Sequence, residues 1–165
     1  MLLFIFRHGI AEDHGPDGTD DSRRLTDEGK RKTREAVVGL SCIAGKPEVL
    51  LSSPLVRARQ TAEIAAQVFD MDTQVCDALG IGPAGDVVRE LRKMEEDVVM
   101  IVGHEPQLSI LAEMLCTGDE AIGYIQLKKA GCIAIETPIN EGAARGGGRL
   151  LWIATPAMLR GLAER

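Results

Sequence analysis

Aromatic residues are scarce in this sequence: Trp, Tyr and Phe together make up 3% of it. Such a chain must build an aliphatic core and has few platforms on which single-stranded nucleic acid could stack. An excess of positive charge is also missing. The formal net charge is −6, which argues against general binding to nucleic acid or to a membrane surface. Any anion site must therefore be made locally, by clustered Arg and by helix N-termini. No apolar run approaches the length of a membrane span. No basic segment precedes the short apolar start, so an ordinary signal peptide is not expected, and the chain reads as cytoplasmic. The four cysteines, Cys42, Cys76, Cys116 and Cys132, have neither CxxC nor metal-finger spacing. Their apolar contexts predict buried free thiols. An Asp-rich Mg²⁺ motif and a Walker A pattern are absent as well.

What remains is the pattern of a soluble globular protein. The 165 residues suit one domain over 1–165 with a sizeable core. Leu2 to Phe6 and Val49 to Leu51 read as buried strands, with a third short strand around Gln74 to Cys76. Val98 to Val102 is continuously apolar, as a central parallel strand covered on both faces should be. Helices are predicted between them. One follows Thr26 as N-cap, with Asp27 and Glu28 in its first turn and an apolar stripe of Ala36, Val37, Leu40, Ile43 and Ala44. A second starts at Ser53 as N-cap and Pro54. A third spans Asp86 to Met94, and a fourth starts at Pro106. In the last third, Tyr124–Leu127, Cys132–Glu136 and Leu150–Ala154 look like strands, with a loop from Asn140 to Gly148 and a helix over Pro156 to Arg165. This order predicts an α/β fold, a three-layer α/β/α sandwich around a mostly parallel mixed sheet.

Three strand ends carry reactive residues: Arg7-His8-Gly9, the segment Ser53 to Arg57, and His104. Open α/β sheets bind ligands at the carboxyl ends of their strands. Arg offers a planar donor fork suited to phosphate, His can act as a nucleophile, and Gly9 permits a tight turn and close approach of a ligand. Two of the three ends run into helices, whose free N–H groups attract anions. Phosphoryl transfer needs little more than an in-line nucleophile and donors to the equatorial oxygens.

Taken together, Phe6-Arg7-His8-Gly9, Leu25-Thr26-Asp27-Glu28-Gly29, Ser52-Ser53-Pro54-Leu55-Val56-Arg57-Ala58-Arg59-Gln60-Thr61 and Val102-Gly103-His104 resemble the histidine phosphatase (phosphoglycerate mutase-like) superfamily. Pro83-Ala84-Gly85-Asp86 and Gly103-His104-Glu105-Pro106 are similar to the SixA phosphohistidine phosphatases. The resemblance implies that His8 is the nucleophile and passes through a phosphohistidine. It implies that Arg7, Arg57 and His104 hold the phosphoryl oxygens, and it adds Arg23 as a weaker pocket residue. It implies no metal and no organic cofactor. The substrate it points to is phosphohistidine on a signalling phosphotransfer protein, the alternative being a small phosphorylated metabolite.

An alkoxide leaving group needs a general acid, whereas a protonated phosphoramidate loses neutral imidazole more readily. Larger members of the superfamily place a Glu or Asp acid in a segment without a match here, which favours an N-phosphate substrate. Glu12, Asp13 and Glu105 stay open as acids. Other polar features read as solvated: His14, Arg59, the acidic run Asp17 to Asp21, and the basic run Lys30, Arg31, Lys32 and Arg34.

Overall fold

The computed structural model describes residues 1–119, 123–139 and 146–164. Its element order is β1 (Leu2–Arg7), α1 (Asp27–Ser41), β2 (Val49–Ser52), α2 (Val56–Phe69), β3 (Gln74–Val75), α3 (Ala84–Leu91), β4 (Val98–Gly103), α4 (Gln107–Thr117), β5 (Cys132–Glu136), β6 (Arg149–Ala154) and α5 (Pro156–Ala163). The strands form one sheet in the order β3-β2-β4-β1-β5-β6. The first four run parallel, and β5 is antiparallel to both β1 and β6. The expected α/β/α sandwich around a mostly parallel mixed sheet is what forms.

Period-two alternation divides the core between two faces. Leu3, Ile5, Val99 and Ile101 pack with Val87, Leu91, Leu108 and Leu111 of α3 and α4. Phe4, Phe6, Met100 and Val102 pack with Val37, Leu40, Ala62, Ala65 and Leu159 of α1, α2 and α5. Strand β4 lies between β2 and β1, which explains why none of its inner residues is polar. Thr26 caps α1 as expected, its side chain accepting from the Gly29 N–H at 2.8 Å.

Some expectations need correction. Helix α2 begins at Val56 rather than at Pro54, because the Ser53 hydroxyl is engaged with its own neighbours and Leu55 occupies the cap position. Helix α1 stops at Ser41, so Ile43 is exposed while Ala44 is still buried. Among the described residues Tyr124–Leu127 pairs with no strand. Instead, the Glu113 carboxylate accepts from the N–H groups of Gly123 (2.9 Å) and Ile125 (2.7 Å). Of the four free cysteines only Cys132 is fully buried; Cys76 and Cys116 are half-buried and Cys42 is exposed. Most of the predicted loop from Asn140 to Gly148, namely residues 140–145, lies outside the described residues, as does Arg165. Among the described residues no helix is long and apolar enough to cross a membrane.

Candidate active site

The strand order decides where the reactive residues go. Arg7 is in register with Gly103, and Ser52 with Val102. The residues that follow, His8, Ser53 and His104, therefore emerge side by side from β1, β2 and β4. The His8 and His104 rings lie 5.1 Å apart between centroids. Arg57, in the first turn of α2, joins them, and all three side chains are buried.

His8 is fixed by its own backbone. Its Nδ1 lies 2.7 Å from the Gly9 carbonyl oxygen. A carbonyl only accepts, so Nδ1 carries the proton and Nε2 keeps its lone pair. Burial, with further lowering from the charges of His104, Arg57 and Arg7, holds the ring's pKa down at about 3. At neutral pH His8 is an uncharged imidazole, the state a nucleophile requires. Gly9 also makes room for a neighbouring helix. A Cβ there would stand 2.1 Å from Thr33 Oγ1, so the glycine admits helix α1 against the loop. Its N–H also donates to Thr61 Oγ1 at 3.0 Å, tying the loop to α2.

His104 is held at Nε2, 2.7 Å from Ser53 Oγ, and its Nδ1 has no partner among the described residues. Burial, followed by the Arg57 charge, lowers its pKa to about 4. Arg7 donates through Nη1 to the Leu127 carbonyl at 2.8 Å, so the unpaired segment before β5 serves to hold this side chain. Arg57 donates through Nη1 to the Asp20 carbonyl (2.7 Å) and through Nη2 to the Asp20 carboxylate (2.9 Å). Arg23 does not line the cleft beside Arg57. Its Nη1 pairs with the other oxygen of Asp20 at 2.8 Å and its Nε donates to the Glu12 carbonyl.

A cleft of about 420 Å³ opens on the side of Arg57 and His104, lined also by Asp20, Leu55, Ile81, Glu105 and Gln107. Of the three acids left open, Glu105 reaches this cleft; Glu12 and Asp13 are exposed in the loop after β1. Burial raises the Glu105 pKa, against the pull of Ser109 and Arg7. Among the described residues no group of three His, Cys, Asp or Glu side chains is placed to hold a metal ion. The arrangement can bind an anion between guanidinium and imidazole groups and attack it with an imidazole nitrogen.

Residues 3–80 match the histidine phosphatase superfamily (branch 1). An uncharacterized protein of Picosynechococcus sp. is 34% identical over 96% of this chain and 99% of its own. This chain belongs to the histidine phosphatase superfamily. The phosphohistidine phosphatase SixA of Escherichia coli is 28% identical over 79% of this chain and 88% of its own. Among solved structures, the protein histidine phosphatase SixA complexed with tungstate superimposes with a TM-score of 0.82 at 24% identity, covering 95% of this chain and 98% of that one. A mycobacterial glucosyl-3-phosphoglycerate phosphatase with inorganic phosphate has a TM-score of 0.72 at 18% identity, covering 94% and 98%. The fold is thus the phosphoglycerate mutase-like one, and membership of the histidine phosphatase superfamily supports phosphatase activity.

Two residues of the site have roles that the reading of the sequence did not assign. Ser53 read as a helix cap and instead holds His104. Asp20 read as part of a solvated acidic loop and instead sits on Arg57. The Ser-Pro that follows a strand end was a usable signal for the first; nothing local marks the second. The other solvated assignments stand, with His14 and Arg59 exposed. On α1, Lys30, Arg31 and Lys32 pair with carboxylates of their own helix.

Proposed function

We propose that this phosphatase works through His8 and dephosphorylates phosphohistidine on a signalling phosphotransfer protein. Nε2 of His8 attacks phosphorus in line. The P–N bond to the substrate imidazole, already protonated on its other nitrogen, breaks, and the electron pair leaves with that ring as neutral imidazole. Arg7, Arg57 and His104 hold the equatorial oxygens as charge shifts onto them. Water then attacks the phosphorylated His8, releasing phosphate and restoring the neutral ring. The observation that carries this reading is the His8–Gly9 contact, which leaves a neutral imidazole with a free Nε2 beside buried Arg57 and His104.

Glu105 supports a second reading, a phosphomonoesterase for a small metabolite. Its carboxyl lines the cleft and keeps its proton to higher pH than an exposed glutamate, as a donor to an alkoxide should. The test compares phosphate release from a phosphohistidine protein with release from a panel of phosphomonoesters, in EDTA. We expect preference for phosphohistidine, and a loss of roughly 10⁴-fold or more in His8→Ala. Efficient turnover of one phosphomonoester would keep the mechanism and transfer the function to metabolism. Substantial turnover by a folded His8→Ala protein would remove His8 from its role.

A further inference from the structure

Some of the donors that this site offers to an anion are already engaged. Both terminal nitrogens of Arg57 are bonded to Asp20, one to its carbonyl and one to its carboxylate. The first amide of α2, on Val56, donates to the Asp21 carbonyl at 3.2 Å. One short stretch of the loop between β1 and α1 thus covers the guanidinium and the helix start together. We propose that Asp20 is a positioning residue that sets how tightly the site holds phosphate, its carboxylate competing with the phosphoryl group for Arg57. The proposal rests on the reading of Arg57 as a phosphoryl-binding residue.

The two partners are not equally enclosed. The Arg57 side chain is 8% exposed, that of Asp20 57%. The carboxylate can therefore swing off without uncovering apolar surface, while Arg57 stays in place on the Asp20 carbonyl. Arg23 offers the displaced carboxylate a cation to remain with. The hydrogen bond from Arg23, reinforced by Arg57, holds the Asp20 carboxyl below the usual carboxylate range, so the competitor is charged at neutral pH. Two anions cannot share Arg57 without repulsion. The carboxylate leaves when a phosphoryl group enters and returns as phosphate departs. An internal competitor weakens binding in proportion to its occupancy of the site, for substrate and product alike.

A clamp that only orients Arg57 predicts the opposite sign, because loosening it would loosen phosphate too. The deciding experiment is isothermal titration of the full chain with inorganic phosphate, for wild type, Asp20→Asn, Asp20→Ala and Arg57→Ala. Phosphate should bind both Asp20 variants about tenfold more tightly than wild type. KM and the inhibition constant of phosphate should fall by the same factor. Equal or weaker phosphate binding in the Asp20 variants would overturn the proposal and leave the anion site standing. Wild-type binding that is absent, or indifferent to Arg57→Ala, would instead overturn the anion-site reading and the proposal with it.

Discussion

Ser53 shows how much of a site can depend on one hydroxyl. Its oxygen accepts from the Leu55 N–H at 3.2 Å, which leaves its own proton free to point at His104 Nε2, 2.7 Å away. With the hydroxyl proton directed at Nε2, His104 carries its own on Nδ1, the nitrogen without a partner among the described residues and the one available to a phosphoryl oxygen. Removing the hydroxyl leaves a buried ring nitrogen unpaired and the ring free to turn. A lost hydrogen bond of this kind costs about 1–1.5 kcal/mol, so Ser53→Ala should lower kcat/KM about tenfold with the fold intact. Steady-state kinetics beside a thermal melt would check it; wild-type kinetics would mean that packing alone holds His104. The reactive residues themselves were legible because Arg-His-Gly, Ser-Pro-x-x-Arg and Gly-His recur at strand ends in a recognisable order. Asp20 was not, since one carboxylate in an acidic loop looks like its neighbours until the loop folds back.

At the scale of elements, close approach rather than propensity places α5 against α1. A Cβ on Gly39 would stand 1.7 Å from the Leu159 carbonyl oxygen and 2.6 Å from its carbon. Alanine is ordinarily the better helix former by about 1 kcal/mol. Here the backbone of α5 would have to move, and overpacking of this kind typically costs about 1–3 kcal/mol. Gly39→Ala should therefore lower the urea midpoint of unfolding, and a rise would show that α5 is free to shift. The glycine gave no hint of this in the sequence, because helix contacts depend on a partner more than a hundred residues away. The strands and helices before residue 119 were legible from periodicity and caps. Tyr124–Leu127 was misread as a strand because its apolar residues look the same whether the backbone pairs with a neighbour or with the Glu113 carboxylate.

For the molecule as a whole, strand order is what periodicity could not supply. A parallel run of buried strands fits several arrangements, and only the adjacency of β2, β4 and β1 brings His8, Ser53 and His104 together. Burying two imidazoles in that crevice makes stability depend on pH. The folded pKa values lie at about 3 for His8 and about 4 for His104, both below the ordinary 6.5. Between those values and 6.5 the unfolded chain binds protons that the folded one refuses. Stability is therefore whole above pH 6.5 and is lost as pH falls toward 4 and then 3. Glu105 works the other way, since its raised pKa lets the folded state keep a proton that the unfolded state has released. A variant that leaves Glu105 in place cancels that contribution. Urea unfolding at pH 7.5 and 4.5 should show the wild type losing roughly 5 kcal/mol more than His8→Gln/His104→Gln over the same interval. Parallel losses in the two proteins would mean that both rings accept protons in the folded state, and His8 would then have no neutral form to offer as a nucleophile at mildly acid pH.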